Sequence, residues 1–357
     1  MTVTNGVRDY FWLDLDGDDW LDLMVQYINY WQLYRNDNGV RFVDITAQAN
    51  LPPTTDNAMF ALADYDLDND MDIFMPRIYG QDYFYRNDGD GVFADVTEEV
   101  GLLGSAARAG CVFVDMNNDK YPDLVAPGNG THAVWLNHHG EYFEGATVHG
   151  AEADFESMPF PWGARYAAGD LIWTAITISW SSAPAAPAIC WPKISSCAAT
   201  ALWVWMCGFT NMAGDWGLDA LEDGLPRFAD FDDDGDLDLI LMLHDQPPLL
   251  YRNLTNGAGR LEVSVAGPNG EEYGWHRRVE LYPHGSETVL CATVLGEDAV
   301  GINGMSNYFA VEPQQAYDIE IHLENGEILS PQSHPQLANV VPAGSVTSCG
   351  LSWTALP

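Results

Sequence analysis

Positive charge is scarce in this chain. Lys and Arg number 14 against 52 Asp and Glu in 357 residues, a formal net charge of −38. That balance argues against nucleic acid as a partner, because binding its backbone requires cationic surface. Common catalytic signatures are also missing. There is no Gly-x-Ser-x-Gly elbow, no His-Glu-x-x-His and no phosphate-cradling glycine loop. His138 and His139 adjoin in a turn, where paired histidines are more often solvated than ligating, and His276, His322 and His334 stand alone. The 6 cysteines show no metal-type spacing. The opening residues Met1-Thr-Val-Thr-Asn-Gly6 carry neither the basic nor the apolar region of a secretory leader. The uncharged stretch from Leu171 to Cys190 is interrupted by Pro184, Pro187 and several serines, so no membrane span is expected.

What is present is enough apolar residue for a large core, 47%. The acidic residues are not spread evenly. The clearest cluster is Asp230-Phe-Asp232-Asp-Asp234-Gly-Asp236-Leu-Asp238, followed by an apolar run. Carboxylates at alternate positions of a short loop converge on one point, which is how a hard divalent cation such as calcium is held. The pattern recurs as Asp14-Leu-Asp16-Gly-Asp18-Asp-Trp20-Leu-Asp22 and as Asp64-Tyr-Asp66-Leu-Asp68-Asn-Asp70-Met-Asp72. A further copy reads Asp115-Met-Asn117-Asn-Asp119-Lys-Tyr121-Pro-Asp123. The first three copies start 50 and 51 residues apart, and the gap of 115 before the last leaves room for one more.

Each loop lies between apolar runs, and each is followed by a similar turn: Tyr34-Arg-Asn36, Tyr85-Arg-Asn87, Trp135-Leu-Asn137 and Tyr251-Arg-Asn253. After two of the turns comes an alternating segment, Phe42-Val-Asp-Ile-Thr46 or Phe93-Ala-Asp-Val-Thr97. One unit therefore reads strand, acidic loop, strand, turn, strand, with space for a fourth strand. Four-stranded sheets at this period are the blades of a β-propeller; a solenoid usually has a shorter period. An EF-hand would need Glu at loop position 12, but Val25, Met75, Ala126 and Leu241 stand there, with strand-like flanks.

The units resemble the FG-GAP/VCBS repeats of integrin-type β-propellers over about residues 7–258. The resemblance implies an all-β, calcium-binding propeller of about five visible blades, with a propeller incomplete at the N-terminus as the alternative. It implies side-chain ligands at loop positions 1, 3, 5 and 9 and a backbone carbonyl at 7. The ligands would then be Asp14, Asp16, Asp18, Trp20 and Asp22; Asp64, Asp66, Asp68, Asp70 and Asp72; Asp115, Asn117, Asp119, Tyr121 and Asp123; and Asp230, Asp232, Asp234, Asp236 and Asp238. From Leu261 the period ends. Pro268-Asn-Gly-Glu-Glu-Tyr-Gly274, Arg278-Val-Glu-Leu281, Asn307-Tyr-Phe-Ala-Val311 and Ile319-Glu-Ile-His-Leu-Glu-Asn-Gly326 resemble the ASPIC/UnbV domain of cartilage acidic protein-like families. Trp275-His-Arg277 departs from the small residues usual there. The expected organisation is a propeller over 1–260 and a small β domain over 261–357. Cys291 and Cys349 could pair if the protein is exported.

The resemblance implies an extracellular or cell-envelope module, stabilised by calcium, that binds a protein or glycan. A hydrolase or lyase built on a propeller, or a non-functional fragment of a longer propeller, is the alternative.

A further loop is due where Ala168-Gly-Asp170-Leu171 gives the right lead-in, but the pattern stops. Residues 171–207 hold no acid, one Lys, five Trp and three Cys. This contradicts the surrounding sequence at every level. A reading-frame error over 172–207 explains it. Restoring one G after Leu171 allows Ile172–Ser182 to be read as Asp-Met-Asp-Gly-Asp-Tyr-Asp-Leu-Val-Val-Leu, the missing loop and its strand. The fourth blade should then be misfolded or disordered. The coding DNA is expected to contain an out-of-frame GAT-ATG-GAC string just after the Leu171 codon; its absence rules the frameshift out.

Overall fold

The computed structural model describes residues 7–16, 18, 20–27, 30–52, 60–68, 70–77, 80–89, 91–104, 111–115, 117, 119–125, 134–145, 147–149, 165–170, 175–180, 190–192, 206–211, 224–229, 238–243, 247–252, 259–266, 276–286, 291–294, 306–311, 315–323, 327–338, 340 and 347–352. Strands dominate these residues, and the single helical element among them is a 3-10 turn at Pro335–Leu337.

Three four-stranded antiparallel meanders follow one another. The first contains β1 (Val7–Leu13), β2 (Asp22–Tyr27), β3 (Trp31–Asn36) and β4 (Phe42–Asp44). The second contains β5 (Ala61–Ala63), β6 (Asp72–Met75), β7 (Tyr83–Asn87) and β8 (Phe93–Asp95). The third contains β9 (Val112–Val114), β10 (Asp123–Val125), β11 (Val134–Asn137) and β12 (Phe143–Gly145). Register is conserved among them: the residue before loop position 1 pairs with the aspartate at position 9, as Leu13 with Asp22, Ala63 with Asp72 and Val114 with Asp123. The acidic loop is thus the connection of each first hairpin.

Because side chains alternate across a strand, each sheet has two faces. One face carries the cross-strand row Leu62–Ile73–Tyr85 in the second sheet and Phe113–Leu124–Trp135 in the third. It packs on the preceding sheet. The opposite face carries Met24–Leu33, Phe74–Phe84 and Val125–Val134, all buried. In the first two sheets it packs on the following one. Accordingly, Met24 and Leu33 share a core with Leu62, Ile73, Tyr85 and Phe93, while Phe74 and Phe84 share one with Leu124, Trp135 and Phe143.

Hydrogen bonds join the sheets as well. Phe93 N–H donates to the Ala49 carbonyl at 3.0 Å, and Phe143 N–H to the Val100 carbonyl at 2.8 Å. The segment leaving one sheet therefore extends the last strand of the next. That exit is shaped by the repeated Asp-x-Thr. Thr46 N–H donates to Asp44 Oδ1 at 3.0 Å and its Oγ1 accepts from Leu33 N–H at 2.9 Å. In the second sheet Thr97 N–H donates to Asp95 Oδ1 at 3.1 Å and its Oγ1 accepts from Phe84 N–H at 2.8 Å.

The later sheets are smaller. β13 (Thr147–His149) and β16 (Cys190–Pro192) flank β17 (Met206–Asn211), while β14 (Arg165–Asp170) pairs with β15 (Ala175–Trp180). In this second pair Asp170 is opposite Ala175. The connection is therefore shorter than the nine-residue loops and has no place for one. Residues 175–180 of the anomalous segment thus form a strand, and most of the rest of that segment lies outside the described residues. β18 (Gly224–Ala229), β19 (Asp238–Leu243) and β20 (Leu249–Tyr251) repeat the first three strands of a unit, with Ala229 opposite Asp238. First strands of successive sheets adjoin in order: β5 with β9, β9 with β14, and β14 with β18.

The last two sheets share a separate core. One joins β24 (Ser306–Val311), β21 (Gly259–Ala266) and β27 (Thr347–Ser352). The other joins β23 (Cys291–Val294), β22 (His276–Pro283), β25 (Tyr317–Leu323) and β26 (Ile328–Leu329). Strict alternation along β25 turns Tyr317, Ile319, Ile321 and Leu323 into that core beside Leu261, Val279 and Phe309. Cys291 and Cys349 lie on strands of different sheets, and their side chains are outside the described residues.

Replacing Thr97 by Val keeps the shape but strips the acceptor from Phe84 N–H inside the sheet. A buried donor left unpaired costs about 1–3 kcal/mol. Urea unfolding of Thr97→Val is expected to show that loss.

Candidate metal centre

The acidic loops are built by their own side chains. The position 1 carboxylate accepts from the N–H at position 5: Asp14 from Asp18 at 3.3 Å, Asp64 from Asp68 at 3.0 Å, Asp115 from Asp119 at 3.2 Å. The position 5 carboxylate accepts from position 7: Asp18 from Trp20 at 3.0 Å, Asp68 from Asp70 at 2.9 Å, Asp119 from Tyr121 at 3.0 Å. Short acidic side chains favour such local bonds, which is why the chain turns here although strands flank it.

The ninth position closes the loop. Asp22 accepts from Leu15 N–H at 2.9 Å and from Asn36 N–H at 2.6 Å. Asp72 accepts from Tyr65 N–H at 3.1 Å and from Asn87 N–H at 2.8 Å, and Asp123 from Asn137 N–H at 2.7 Å. All three are buried. The asparagines then reach back to the preceding sheet. Asn87 Nδ2 donates to the Leu15 carbonyl at 3.2 Å and Asn137 Nδ2 to the Tyr65 carbonyl at 2.8 Å. Gly140, at φ +75, lies so close that a Cβ there would sit 2.6 Å from Cα and Cβ of Asp66. The first and second acidic loops are thus held from behind by the turn of the next sheet. The sequence signal for these contacts is the recurring Asn two residues after an aromatic.

In the first loop, oxygens of Asp14, Asp16 and Asp18 lie within 4.8 Å of one another; in the second, those of Asp64, Asp66 and Asp72 do. Position 3 is distinctive in both. Asp16 Oδ1 and Asp66 Oδ1 are buried and have no hydrogen-bond partner. Such orphaned oxygens are uncommon in folded proteins and point to an unseen ion or water. Burial, then the charge of Asp68, pushes the Asp66 carboxyl up to about 6, and burial, then Asp18 and Asp14, raises Asp16. Burial raises Asp22 to about 7, against the pull of the Asn36 and Leu15 N–H groups, and raises Asp72 well above the carboxylate range. An all-oxygen set of crowded carboxylates with spare lone pairs fits a hard divalent cation. Asp14, Asp16 and Asp18, or Asp64, Asp66 and Asp72, would hold it, and its charge would tie loop to strand.

The third loop differs. Asn117 Nδ2 donates to Asp119 Oδ2 at 3.0 Å, and Lys120 N–H donates to Asp115 Oδ2 at 2.8 Å. Asp115, raised to about 6 chiefly by burial, is satisfied by the loop itself. Lys120 has φ +82 at loop position 6, where the fourth loop has Gly235. Its Nζ lies 2.6 Å from Glu280 Oε2 and 2.8 Å from the Tyr282 hydroxyl, both on β22. Glu280 is 1% exposed and also accepts from Arg278 Nε at 2.8 Å. Burial alone would raise its carboxyl, but hydrogen bonds from Lys120 and Tyr282 and the charges of Arg278 and Lys120 hold it below the usual range. Sequence gave no hint of this pair, whose members are 160 residues apart.

The remaining expected ligands are placed as follows. Trp20 is exposed, with its ring against Gly39, and Tyr121 stacks edge-on with His139. Asp238 is buried at the start of β19; Asp230, Asp232, Asp234 and Asp236 lie outside the described residues.

Sheets, loops and spacing together define a repeat architecture. Residues 14–75 and 64–126 match the family model described as FG-GAP-like repeat. No curated protein sequence matches the chain. Among solved structures, similarity extends to a lectin of Agrocybe aegerita, whose structure concerns specific recognition of non-reducing terminal N-acetylglucosamine, at 15% identity and TM-score 0.41. The chain is also similar to the Photorhabdus luminescens Tc holotoxin pore, at 16% and 0.36, and the V. cholerae biofilm matrix protein Bap1, at 12% and 0.31. These alignments cover 68%, 70% and 91% of this chain but only 65%, 11% and 59% of the others.

Two outcomes are expected. In metal-free protein Asp22 and Asp66 bind protons more tightly folded than unfolded, so stability is greatest where they are protonated and falls as pH rises towards and through 7. Thermal melting in EDTA from pH 5 to 8 checks this. Glu280 has the opposite sign, losing its contribution only as pH falls below the ordinary glutamate range. Lys120→Met leaves Glu280 buried with Arg278 as its remaining cationic partner, costing roughly 1–3 kcal/mol. Adding Glu280→Gln to Lys120→Met should recover part of that loss in urea unfolding.

Proposed function

We propose that the chain is a calcium-stabilised binding module of the propeller type that works outside the cell and presents its loops to a protein or glycan. The observation that carries this reading is the pair of buried, unpartnered oxygens on Asp16 and Asp66, at the same position of successive loops. Carboxylate loops of modest affinity, about 10⁻⁴ to 10⁻³ M, suit extracellular calcium levels. The FG-GAP-like match over residues 14–126 and the ordered first strands β5, β9, β14 and β18 support a propeller-type stack. We assign the binding role to residues 1–260 and read residues 261–357 as an ASPIC/UnbV-like β domain, on the sequence motifs named above.

Calcium at tenfold over its dissociation constant stabilises by about 1.4 kcal/mol per site. Melting in calcium against EDTA is expected to show an upward shift, which Asp16→Asn with Asp66→Asn removes. An unchanged midpoint sinks the calcium reading. Probing the calcium-loaded chain on glycan and extracellular-protein arrays, with EDTA as control, tests the binding role; silence on both counts against it.

A further inference from the structure

Among the described residues two inter-sheet faces of the stack are exposed, and they are complementary. In the second and third sheets, the face turned to the preceding sheet is covered: Ile73, Leu124 and their cross-strand neighbours Tyr85 and Trp135 are buried. In the first sheet the same row is Trp12–Leu23–Tyr34, with Phe42 at the place of Phe93. Trp12 is 37% exposed and Phe42 47%, their rings 6.0 Å apart. Among the described residues no sheet covers this face.

The far end shows the converse. The face turned to the following sheet carries Met24–Leu33, Phe74–Phe84 and Val125–Val134, each wholly buried. In the β18–β20 sheet the equivalent pair is Ile240–Leu250, placed by the shared register and by the Tyr-Arg-Asn that follows Leu250. Leu250 is 59% exposed. Since both faces are exposed among the described residues, the β18–β20 sheet does not cover the first sheet there.

We propose that the open face of the first sheet, marked by Trp12 and Phe42, receives the β18–β20 sheet of a second copy of this chain through the Leu250 face. The contact continues an interface already made twice within the chain, between the first and second and the second and third sheets. It is head-to-tail, so repetition gives a ring or a filament rather than a closed two-fold pair. With a net charge of −38, copies repel one another at long range, and salt screens that repulsion. Association is therefore stronger at high salt. The proposal is independent of cation binding.

The test is the mass of the full chain by light scattering, at high salt and over a wide concentration range. Wild type is expected to grow beyond one chain as concentration rises. Trp12→Asp and Leu250→Asp are each expected to remain single chains. An equimolar mixture of the two is expected to form a dimer and nothing larger, because each variant keeps the face the other lacks. A misfolded variant would not restore the dimer. Three results overturn the proposal: wild type of single-chain mass throughout, either variant alone retaining the wild-type mass, or a mixture that stays monomeric.

Discussion

A carboxylate in a dry interior must be met by donors, and the repeated sheets are arranged around that demand. Asp22, Asp72 and Asp123 are buried at the start of the second strand of their units. Donors come from the backbone: the turn N–H for all three, and for Asp22 and Asp72 the loop N–H as well. A buried acceptor left without its donor costs more than the bond it would make is worth. The register of the first hairpin, the entry into the third strand and the position of the acidic loop therefore follow from one residue per unit. The same asparagine that supplies the turn N–H extends its amide to the sheet before it, so satisfaction of the aspartate and stacking of the sheets are one event.

The loops then divide by what completes them. Where position 3 is Asp, a buried oxygen is left over and the carboxyls are pushed upward by burial and by one another. Where position 3 is Asn117, the amide supplies a donor and the neighbouring Lys120 sends its charge outward to Glu280. A single carboxylate-to-amide difference at position 3 thus distinguishes the first two loops from the third. The lysine that follows it joins the third sheet to the C-terminal sheets through a carboxylate that no solvent reaches.

Much of this was legible in the sequence because it is local. The aspartate spacing, the alternation around Phe42 and Phe93, and the period of 50 residues fix hairpins, turns and sheet order through short-range geometry. Residues 317–323 likewise alternate apolar and polar side chains along their strand. What sequence could not give is contact between units. Asn87 at the Leu15 carbonyl spans 72 residues and Lys120 at Glu280 spans 160, and neither has a local signature. Nor could spacing alone show how the loops differ inside: Asp115, Asn117, Asp119 and Asp123 share the ligand pattern, while the bonds made by Asn117 Nδ2 and Lys120 N–H are particular to that loop. In the anomalous segment, Asp170 opposite Ala175 shows a hairpin too tight for the loop that its lead-in announced.

Gly140 and Asn137 sit on the Tyr65–Asp66 loop, and Asn87 sits on the loop at Leu15, so the unit of stability straddles the unit of sequence. An evolutionary deletion or duplication of one whole period would bring an equivalent asparagine onto an equivalent carbonyl, and the joint would be remade. A change of any other length would leave a clamp facing the wrong partner. Growth and shrinkage of such an array are therefore quantised, and its length can drift only in whole steps.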